Sequence, residues 1–574
     1  MIRLKKNGSL FNKWYAWFRS RASFLKLIAC LPVLVAGLTL SFRSLVPHEK
    51  APPAERPDIL LFIADDMTSR DCAPYGNPDV NTPNLSRLAK EGLCFDNMYN
   101  ATAMCCPTRQ SLYTGIFPVK NGAWPNHSKV YNDVTSIAHH FRSIGYRVAL
   151  IGKQHYAPAA SFPFEWLGGR NSDNGKGQDI NLADAETYIN KDQSKPWLLI
   201  VATNQPHGPW NRGNPDQYDP DRLTIPPYMV DTRHTREQLT KYYAEITYAD
   251  SLVGDCMKMV DRHGNKDNTL FIFTSEQGAS FPFGKWTCYN MGLKAAFIAR
   301  WPRVIKPSTR TGILSQYVDV APSLYEAAGG HPDKLRGNLS GTMKLDGKSF
   351  YQAFKGSPAE VRDYVYGVQT TRGVNNGSLN YPVRSIQDQS YKLIWNLNYK
   401  TKFYNAISRP ESTDSKGSRL YDEWLDDSKD NPKEHAHVKL YQSRPEFELY
   451  DMNRDPYELD NLAGRSAEMV KIQEQLFAGL KKWMQQQGDR GVATEMKALT
   501  RYKGDSLKWK SATKPTAQAQ PGQPNILFIA VDDLKPLLGC YGDPDETVNT
   551  AGDKKYTAVV KDLNGKCSAS WMNR

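Results

Sequence analysis

The apolar run Ile59-Leu60-Leu61-Phe62-Ile63-Ala64, which ends in Asp65-Asp66, decides the fold. A half-buried strand alternates apolar and polar residues, whereas this run is apolar at every position. An uninterrupted run of this length predicts a strand that is buried on both faces of a sheet.

Three further segments repeat this pattern of an apolar run that ends in polar residues, at 146–152, 197–202 and 269–274. Helical patterns lie between the runs, for example at 84–92 and 136–144. The alternation of buried strands with helices predicts an α/β fold.

Polar side chains follow each of the four predicted strands. In an α/β sheet, ligands bind beyond the carboxyl ends of the strands, so these side chains are expected to form one site. A polar loop after any single strand is common and indicates little. Four such clusters, together rich in Asp, Glu, His and Lys, indicate one shared site. The candidates are Asp65, Asp66, Lys153, His155, His207, Glu276 and Gln277.

A second signal is Cys105, which precedes Pro107 and Arg109 at the predicted start of a helix. Proline fits the first helical turn, where its missing N–H costs nothing. The helix dipole and the cation one turn further on favour an anion or a nucleophile at this position. The alternative is an ordinary buried cysteine beside a helix start.

Composition excludes two classes of function. The net charge of +13 arises mainly in residues 1–50, and residues 51–500 are close to neutral, so the sequence predicts no nucleic-acid partner. The nine cysteines include no C-x-x-C pair, which argues against a zinc site.

The N-terminus explains most of the positive charge. Basic residues precede an apolar run at 27–40, and this order is typical of an export signal. The run is shorter than the roughly 20 residues of a membrane span. We therefore expect residues 1–50 to be an export signal, or an uncleaved anchor that tethers the protein to a membrane, and the body to work in the periplasm or outside the cell.

The pattern changes after residue 375. Segments 381–398 and 447–452 predict strands of a smaller antiparallel sheet, and 467–487 predicts an amphipathic helix. The expected domains are therefore a large one at 55–375 and a C-terminal subdomain at 376–500.

An incomplete internal repeat ends the chain. Residues 501–524 are predicted to be a linker, with a flexible composition from 511 onward, and 524–533 repeat the pattern of 57–66. The repeat at 525–574 contains no C-x-P-x-R, and we expect it to be poorly packed and catalytically silent.

The C-x-P-x-R motif at Cys105, followed by Leu112-Tyr113-Thr114-Gly115, resembles the signature of the formylglycine-dependent sulfatases, a family of the alkaline-phosphatase superfamily. The resemblance covers about residues 57–490, and the repeat at 525–574 resembles the start of a second sulfatase domain. It implies a large, mostly parallel mixed sheet between helices and a smaller C-terminal antiparallel sheet subdomain. It also implies that a maturation enzyme oxidises Cys105 to formylglycine, whose hydrate attacks the sulfate ester.

The resemblance also implies a site for one calcium ion, with magnesium as the alternative. Oxygen ligands suit such a hard dication. The family usually has Asp followed by Asn or His at the last two ligand positions, where this chain has Glu276 and Gln277, each longer by one methylene. The implied metal ligands are Asp65, Asp66, Cys105, Glu276 and Gln277.

Six residues have implied roles in catalysis. Cys105 becomes the nucleophile, and Arg109 and Lys153 hold it. His155 takes the proton from its second hydroxyl. His207 is the candidate acid, and it contacts the sulfate and the leaving group together with Lys285, for which Lys294 is a rival.

Segments 275–285, 381–387 and 392–398 resemble the sulfamidase, or heparan N-sulfatase, branch. The first hypothesis is therefore an exported sulfatase that acts on a sulfated carbohydrate, either N-sulfoglucosamine or an O-sulfated glycan. That branch usually has Arg where this chain has Lys285, so the substrate can differ. The alternatives are a phosphonate or phosphodiester hydrolase of the same superfamily and a degenerate homologue without catalysis.

Overall fold

The computed structural model describes residues 56–170, 179–357, 360–374, 377–408 and 418–501. The predicted export signal or anchor at 1–50 and the truncated repeat at 525–574 lie outside these residues, as does the predicted linker apart from Arg501.

Strands and helices alternate through the first part of the described chain. The strands are β1 Asp58–Ala64, β2 Leu93–Phe95, β3 Met98–Tyr99, β4 Arg147–Gly152, β5 Glu165–Trp166, β6 Trp197–Ala202, β7 Thr269–Ser275, β8 Lys294–Ala295, β9 Phe297–Arg300, β10 Thr309–Thr311, β11 Ser315–Gln316, β12 Val365–Gln369, β13 Val383–Gln387, β14 Tyr391–Asn396 and β15 Phe447–Asp451. The helices are α1 Pro83–Glu91, α2 Cys105–Thr114, α3 Pro118–Asn121, α4 Ile137–Ser143, α5 Leu182–Asn190, α6 Arg233–His263, α7 Asn290–Leu293, α8 Val320–Ala327, α9 Tyr351–Phe354, α10 Ser418–Asp427, α11 Pro432–Leu440, α12 Ala467–Gln487 and α13 Val492–Met496. In the parts of the chain described, none of these helices has the length and apolar character that crossing a membrane requires.

The large sheet has eight strands in the order β10-β2-β9-β7-β1-β6-β4-β5. Its centre is parallel: Leu60 of β1 lies opposite Leu199 of β6 on one side and Phe271 of β7 on the other. Strand β9 runs antiparallel to β7 and β2, so the sheet is mixed. The predicted α/β fold with a large, mostly parallel sheet is confirmed.

Strand β1 is buried on both faces, as its apolar run predicts. Every residue from Asp58 to Ala64 is buried. Leu60 and Phe62 belong to the core that includes residues of α6, whereas Ile59 and Leu61 belong to the core that includes residues of α4 and α8. Helices therefore cover both faces of the sheet, which explains the absence of polar alternation along the strand.

A four-stranded antiparallel sheet, in the order β12-β13-β14-β15, forms the smaller element. Helix α12 packs on this sheet, where Trp483 stacks on Tyr366 with ring centroids 4.6 Å apart. The predicted small sheet is confirmed, and it gains a strand, β12, that lies before the expected boundary at 375.

Candidate active site

The sheet topology brings the predicted polar clusters together. Asp65 and Asp66 follow β1, Glu276 follows β7, and Lys153 follows β4. Because β1 lies between β7 and β6, with β4 next to β6, these strand ends share one edge of the sheet. Asp66 has a φ of 59°, in the left-handed region that few non-glycine residues occupy and that Asp tolerates better than most.

Helix α2 carries the cysteine motif to the same edge. The helix begins at Cys105, contains Pro107 in its first turn, and ends at Thr114, where it is capped by Gly115, whose φ of 68° suits glycine. Cys105 Sγ lies 3.8 Å from Asp66 Oδ1. Every residue of α2 is buried, so the helix is part of the core as well as the site.

Three carboxylates and one thiol form a compact cluster. One ligand atom from each of Asp65, Asp66, Cys105 and Glu276 lies within 4.8 Å of all the others, which is close enough for a single metal ion to contact them. In the structure Gln277 directs its amide nitrogen at the cluster, with Nε2 2.6 Å from Asp66 Oδ1. A half-turn of this amide would present its oxygen instead.

Three bases neutralise the three carboxylates. Lys153 contacts Asp65, Arg109 contacts Glu276, and Lys285 Nζ lies 2.6 Å from Asp66 Oδ2. Arg109 also lies near Asp65, with Nη2 to Oδ1 at 3.8 Å. These side chains are almost fully buried, so the interactions operate with little screening by water.

The buried acids differ in their tendency to ionise. Burial opposes the charge on Asp65, but Lys153 and the neighbouring donors overcome it and hold the pKa of this carboxyl well below its usual range. For Glu276, burial outweighs the attraction of Arg109 and raises the pKa well above its usual range. Without a bound metal ion, therefore, Asp65 carries the negative charge of the pair formed by Asp65 and Glu276.

The thiol of Cys105 is not activated in the structure. Burial raises its pKa well above the ordinary value, in spite of Lys153 and Lys285 nearby. For the unmodified thiol, desolvation outweighs the attraction of Lys153 and Lys285, and the prediction that the helix start favours an anion or a nucleophile at this position stays a prediction.

The two candidate histidines lie in different surroundings. His207 Nε2 is 3.6 Å from Asp66 Oδ2, and its Nδ1 lies 2.7 Å from the carbonyl oxygen of Gly208. This carbonyl oxygen accepts a hydrogen bond from Nδ1–H, which leaves Nε2 to face the cluster. His155 Nε2 lies 3.0 Å from Nδ1 of His127, and burial lowers the pKa of His155 well below its usual value.

The structure also places the rival lysines. Lys285 contacts the cluster through Asp66, whereas Lys294 Nζ lies 3.2 Å from Asn97 Oδ1, in a different cavity.

Three supporting residues were not predicted from the sequence. Asn100 donates to the backbone oxygen of Glu276, Tyr242 donates to the backbone oxygen of Asp66 at 3.0 Å, and His127 contacts His155. Asn100 lies five residues before Cys105, which is a weak signal. Tyr242 lies within the long helix α6, where nothing in the local sequence marks it.

Comparisons with known proteins agree with this geometry. The Sulfatase family profile matches residues 57–330. An ulvan-active sulfatase of Formosa agariphila is 33% identical over 443 residues, which cover 76% of this chain and 81% of the relative. Human N-sulphoglucosamine sulphohydrolase is 28% identical over 473 residues, which cover 75% and 91% of the two chains.

Solved structures share the fold. A protein solved in complex with its substrate D-glucosamine-2-N,6-O-disulfate has a TM-score of 0.55 at 21% identity, covering 76% of this chain and 99% of its own. A structure from work on glycosaminoglycan metabolism by Bacteroides thetaiotaomicron has a TM-score of 0.58 at 19% identity, covering 78% and 100%. With the cysteine motif on a buried helix and the acidic strand ends beside it, these matches show that the chain belongs to the sulfatase family of sulfuric ester hydrolases.

Proposed function

We propose that this sulfatase removes a sulfate group from a sulfated sugar, with Cys105 converted to formylglycine and one calcium ion bound beside it. The observation that carries the proposal is the convergence on Cys105 of three carboxylates within 4.8 Å, each contacted by a buried base. A site of this kind holds a nucleophile, a cation and an anionic group together.

The residues present fit a divalent cation. Glu276 Oε2 and Gln277 Oε1 are buried oxygens that accept no hydrogen bond within the described part of the chain. Such oxygens are costly unless something binds them. With all three carboxylates ionised as metal ligands, their charges and those of the three bases cancel, so a dication would leave the site positive and ready for an anionic sulfate.

Calcium suits this set better than magnesium, because calcium tolerates irregular oxygen geometry and the longer Glu276 and Gln277 side chains. Asp65, Asp66, Glu276 and Gln277, with the modified Cys105, would hold the ion. When bound, it supplies positive charge that stabilises the nucleophile and the developing negative charge.

The chain's own side chains divide the remaining work. Arg109 and Lys153 position the formylglycine that Cys105 becomes, and the hydrated aldehyde supplies the attacking oxygen. His155 accepts the proton of the second hydroxyl. Lys285 binds the sulfate. His207 donates a proton from Nε2 to the leaving group, and because its Nδ1–H is bonded to Gly208, this role requires the doubly protonated imidazolium, although burial and Lys285 lower the pKa of His207.

The substrate class rests on the relatives. Their names include an N-sulphoglucosamine sulphohydrolase, an N-acetylglucosamine-6-O-sulfatase and ulvan-active sulfatases. The segments that resemble sulfamidases favour N-sulfoglucosamine or an O-sulfated glycan. The maturation enzyme, the export of the chain and its division at 375 are proposed from sequence patterns alone.

Peptide mass spectrometry combined with a desulfation assay tests this proposal. In protein from the native host, we expect the peptide that contains Cys105 to be about 18 Da lighter than the thiol form, because SH and one hydrogen are replaced by a carbonyl oxygen. Defined heparan, chondroitin and fucan oligosaccharides then identify the sulfate that is released. An unmodified thiol in active protein would contradict the proposal.

A further inference from the structure

A second cavity, of about 400 Å³, shares no lining residue with the catalytic cluster. Six segments line it: the segment after β1, β3 with the residue before it, α7 with β8, the residue before β11, the end of β13 with the turn that follows, and the segment after β15. A cavity of this size is large enough for a small ligand.

Two cations line this cavity without a carboxylate partner among the described residues. The guanidinium of Arg70 lies over the ring of Tyr457, 4.7 Å from its centroid. Lys294 Nζ lies 3.2 Å from Asn97 Oδ1 and 5.6 Å from the ring centroid of Tyr99. The groups in these contacts with Arg70 and Lys294 are therefore neutral, and neither cation has an ion pair among the described residues.

Two acids outside the cavity lining, Asp96 and Glu458, are paired with other bases. Asp96 accepts from Arg310 Nε at 2.9 Å, and Glu458 lies 2.7 Å from Lys392 Nζ. Burial and the cations Arg70 and Lys392 lower the pKa of Lys294 to about 8, and Asp96 opposes them only in part. Lys294 is thus a cation that an anion would stabilise.

One carboxylate, that of Asp388, does line the cavity. Its Oδ1 accepts the backbone N–H groups of Ser390 and Tyr391, each at 2.7 Å, and so serves the turn between β13 and β14. Arg70 and Lys294 together exceed this single acid, so the cavity keeps an excess of positive charge.

Amide side chains complete the lining. Gln387 is 4% exposed and donates to the Tyr99 hydroxyl at 2.7 Å, while its Oε1 accepts no hydrogen bond within the described residues. Amides and tyrosine offer donors and acceptors that suit sugar hydroxyls. A small inorganic anion would contact Arg70 and Lys294 but would not reach the amide and hydroxyl groups of the wall.

We propose that this cavity binds an acidic sugar unit, with Arg70 and Lys294 facing its sulfate or carboxylate group. The choice of a sugar rests on the proposed function of the catalytic site. The cavity would hold a sugar unit separately from the one that is hydrolysed, since the two sites share no lining residue.

Chemical labelling of Lys294 tests this assignment without turnover. The full chain with Cys105→Ala is treated with trace acetic anhydride near pH 7.5, and acetylation of each lysine is followed by peptide mass spectrometry. The probes are N-acetylglucosamine 6-sulfate, glucuronic acid, neutral N-acetylglucosamine and inorganic sulfate, none of which has a free amine that would consume the reagent. A bound anion holds Lys294 protonated and shields it, so we expect either acidic sugar to slow its labelling by about threefold or more.

Matched controls separate binding from general effects. Lys90, exposed on α1, is expected to label at the same rate with every probe. Arg70→Gln is expected to abolish the protection of Lys294, and Arg70→Lys, which keeps the charge, is expected to retain part of it even if the first variant folds poorly.

Three results would overturn the proposal. They are unchanged labelling of Lys294 with the acidic sugars, equal protection by N-acetylglucosamine, and protection by inorganic sulfate as strong as that by the sugars. Because the assay uses a variant without the nucleophile, a failure of the proposed sulfatase chemistry would not change its result.

Discussion

Gln277 Nε2 lies 3.0 Å from Cys105 Sγ, so the end of β7 directly touches the atom that the family modifies. The same nitrogen lies 2.6 Å from Asp66 Oδ1 at the end of β1. The Gln277 amide therefore contacts both the nucleophile position and the proposed calcium site. A substitution at Cys105 or at Asp66 removes one of its two contacts.

Replacement of Cys105 by alanine should remove turnover. With no precursor for the formylglycine, we expect kcat/KM to fall by at least about 10³-fold. The control is Cys106→Ala, since Cys106 is equally buried but its Sγ lies 3.3 Å from the carbonyl oxygen of Ser128. This control should keep its activity, and residual activity of Cys105→Ala above about a tenth of wild type would contradict the mechanism.

An unconverted Cys105 should react slowly with alkylating reagents. Burial raises the pKa of this thiol above the ordinary range, so it stays protonated at neutral and mildly alkaline pH. We expect iodoacetamide to label Cys105 in the folded protein far more slowly than after denaturation, by peptide mass spectrometry. Rapid labelling of the folded protein at pH 7 would show that the thiol is accessible and ionised.

Removal of one carboxylate should weaken metal binding. Glu276→Gln keeps the side-chain volume and leaves two carboxylates among three bases, so we expect the calcium dissociation constant to rise by about 10- to 100-fold. The measurement is the increase of Tm when calcium is added back to protein treated with EDTA, which does not depend on turnover. Glu237→Gln, on the exposed face of α6, is the control and should match wild type. An identical calcium response of both variants would exclude Glu276 as a ligand.

Lys285 should act through its charge. We expect Lys285→Gln to lower kcat/KM for a monosulfated sugar by about 10- to 100-fold, because the sulfate loses its counter-charge and Asp66 loses its partner. Lys285→Arg keeps the charge and adds a bidentate fork, so it should restore most of the activity. Activity of the glutamine variant close to that of wild type would remove Lys285 from the site.

The buried pair of Arg384 and Asp489 should matter for stability. Both side chains are inaccessible to solvent, and Arg384 Nη2 donates to Asp489 Oδ1 at 3.1 Å. Arg384→Ala leaves an unpaired buried carboxylate, and we expect the free energy of unfolding to fall by about 3–5 kcal/mol. Arg465→Ala, which breaks an exposed pair with Asp460, should change it by less than about 1 kcal/mol in the same denaturant titration. Equal losses of unfolding free energy in the two variants would show that Asp489 does not become a costly unpaired charge when Arg384 is removed.

The long strands are predictable because a strand that is buried on both faces has an apolar residue at nearly every position, which is visible in the sequence. Strands β1, β4, β6 and β7 therefore agree with their apolar runs to within one residue at each end. The short strands β2, β3, β8, β10 and β11 have two or three residues each, too few for any periodicity. Strand β12 escapes prediction because Tyr366 and Gly367 interrupt its apolar character.

The members of the candidate site are predictable from strand ends and one motif, but their pairing is not. Lys153 with Asp65, and Arg109 with Glu276, are contacts between residues far apart in sequence, and only the strand order brings them together. The protonation of Cys105 depends on its desolvation by the surrounding core. A motif at a helix start gives no information about that burial. The cavity beside Lys294 is formed by six separate segments, none of which has a distinctive sequence.

The burial of Cys105 sets an order of events during synthesis of the protein. The residue is 3% exposed and lies in the first turn of a helix that is buried throughout, so another protein cannot grip this segment once the domain has closed. If Cys105 is converted as proposed, the oxidising enzyme has to reach residues 104–115 before the domain closes. A chain that folds before this encounter would keep its thiol, so the fraction of active molecules would depend on the relative rates of folding and of oxidation.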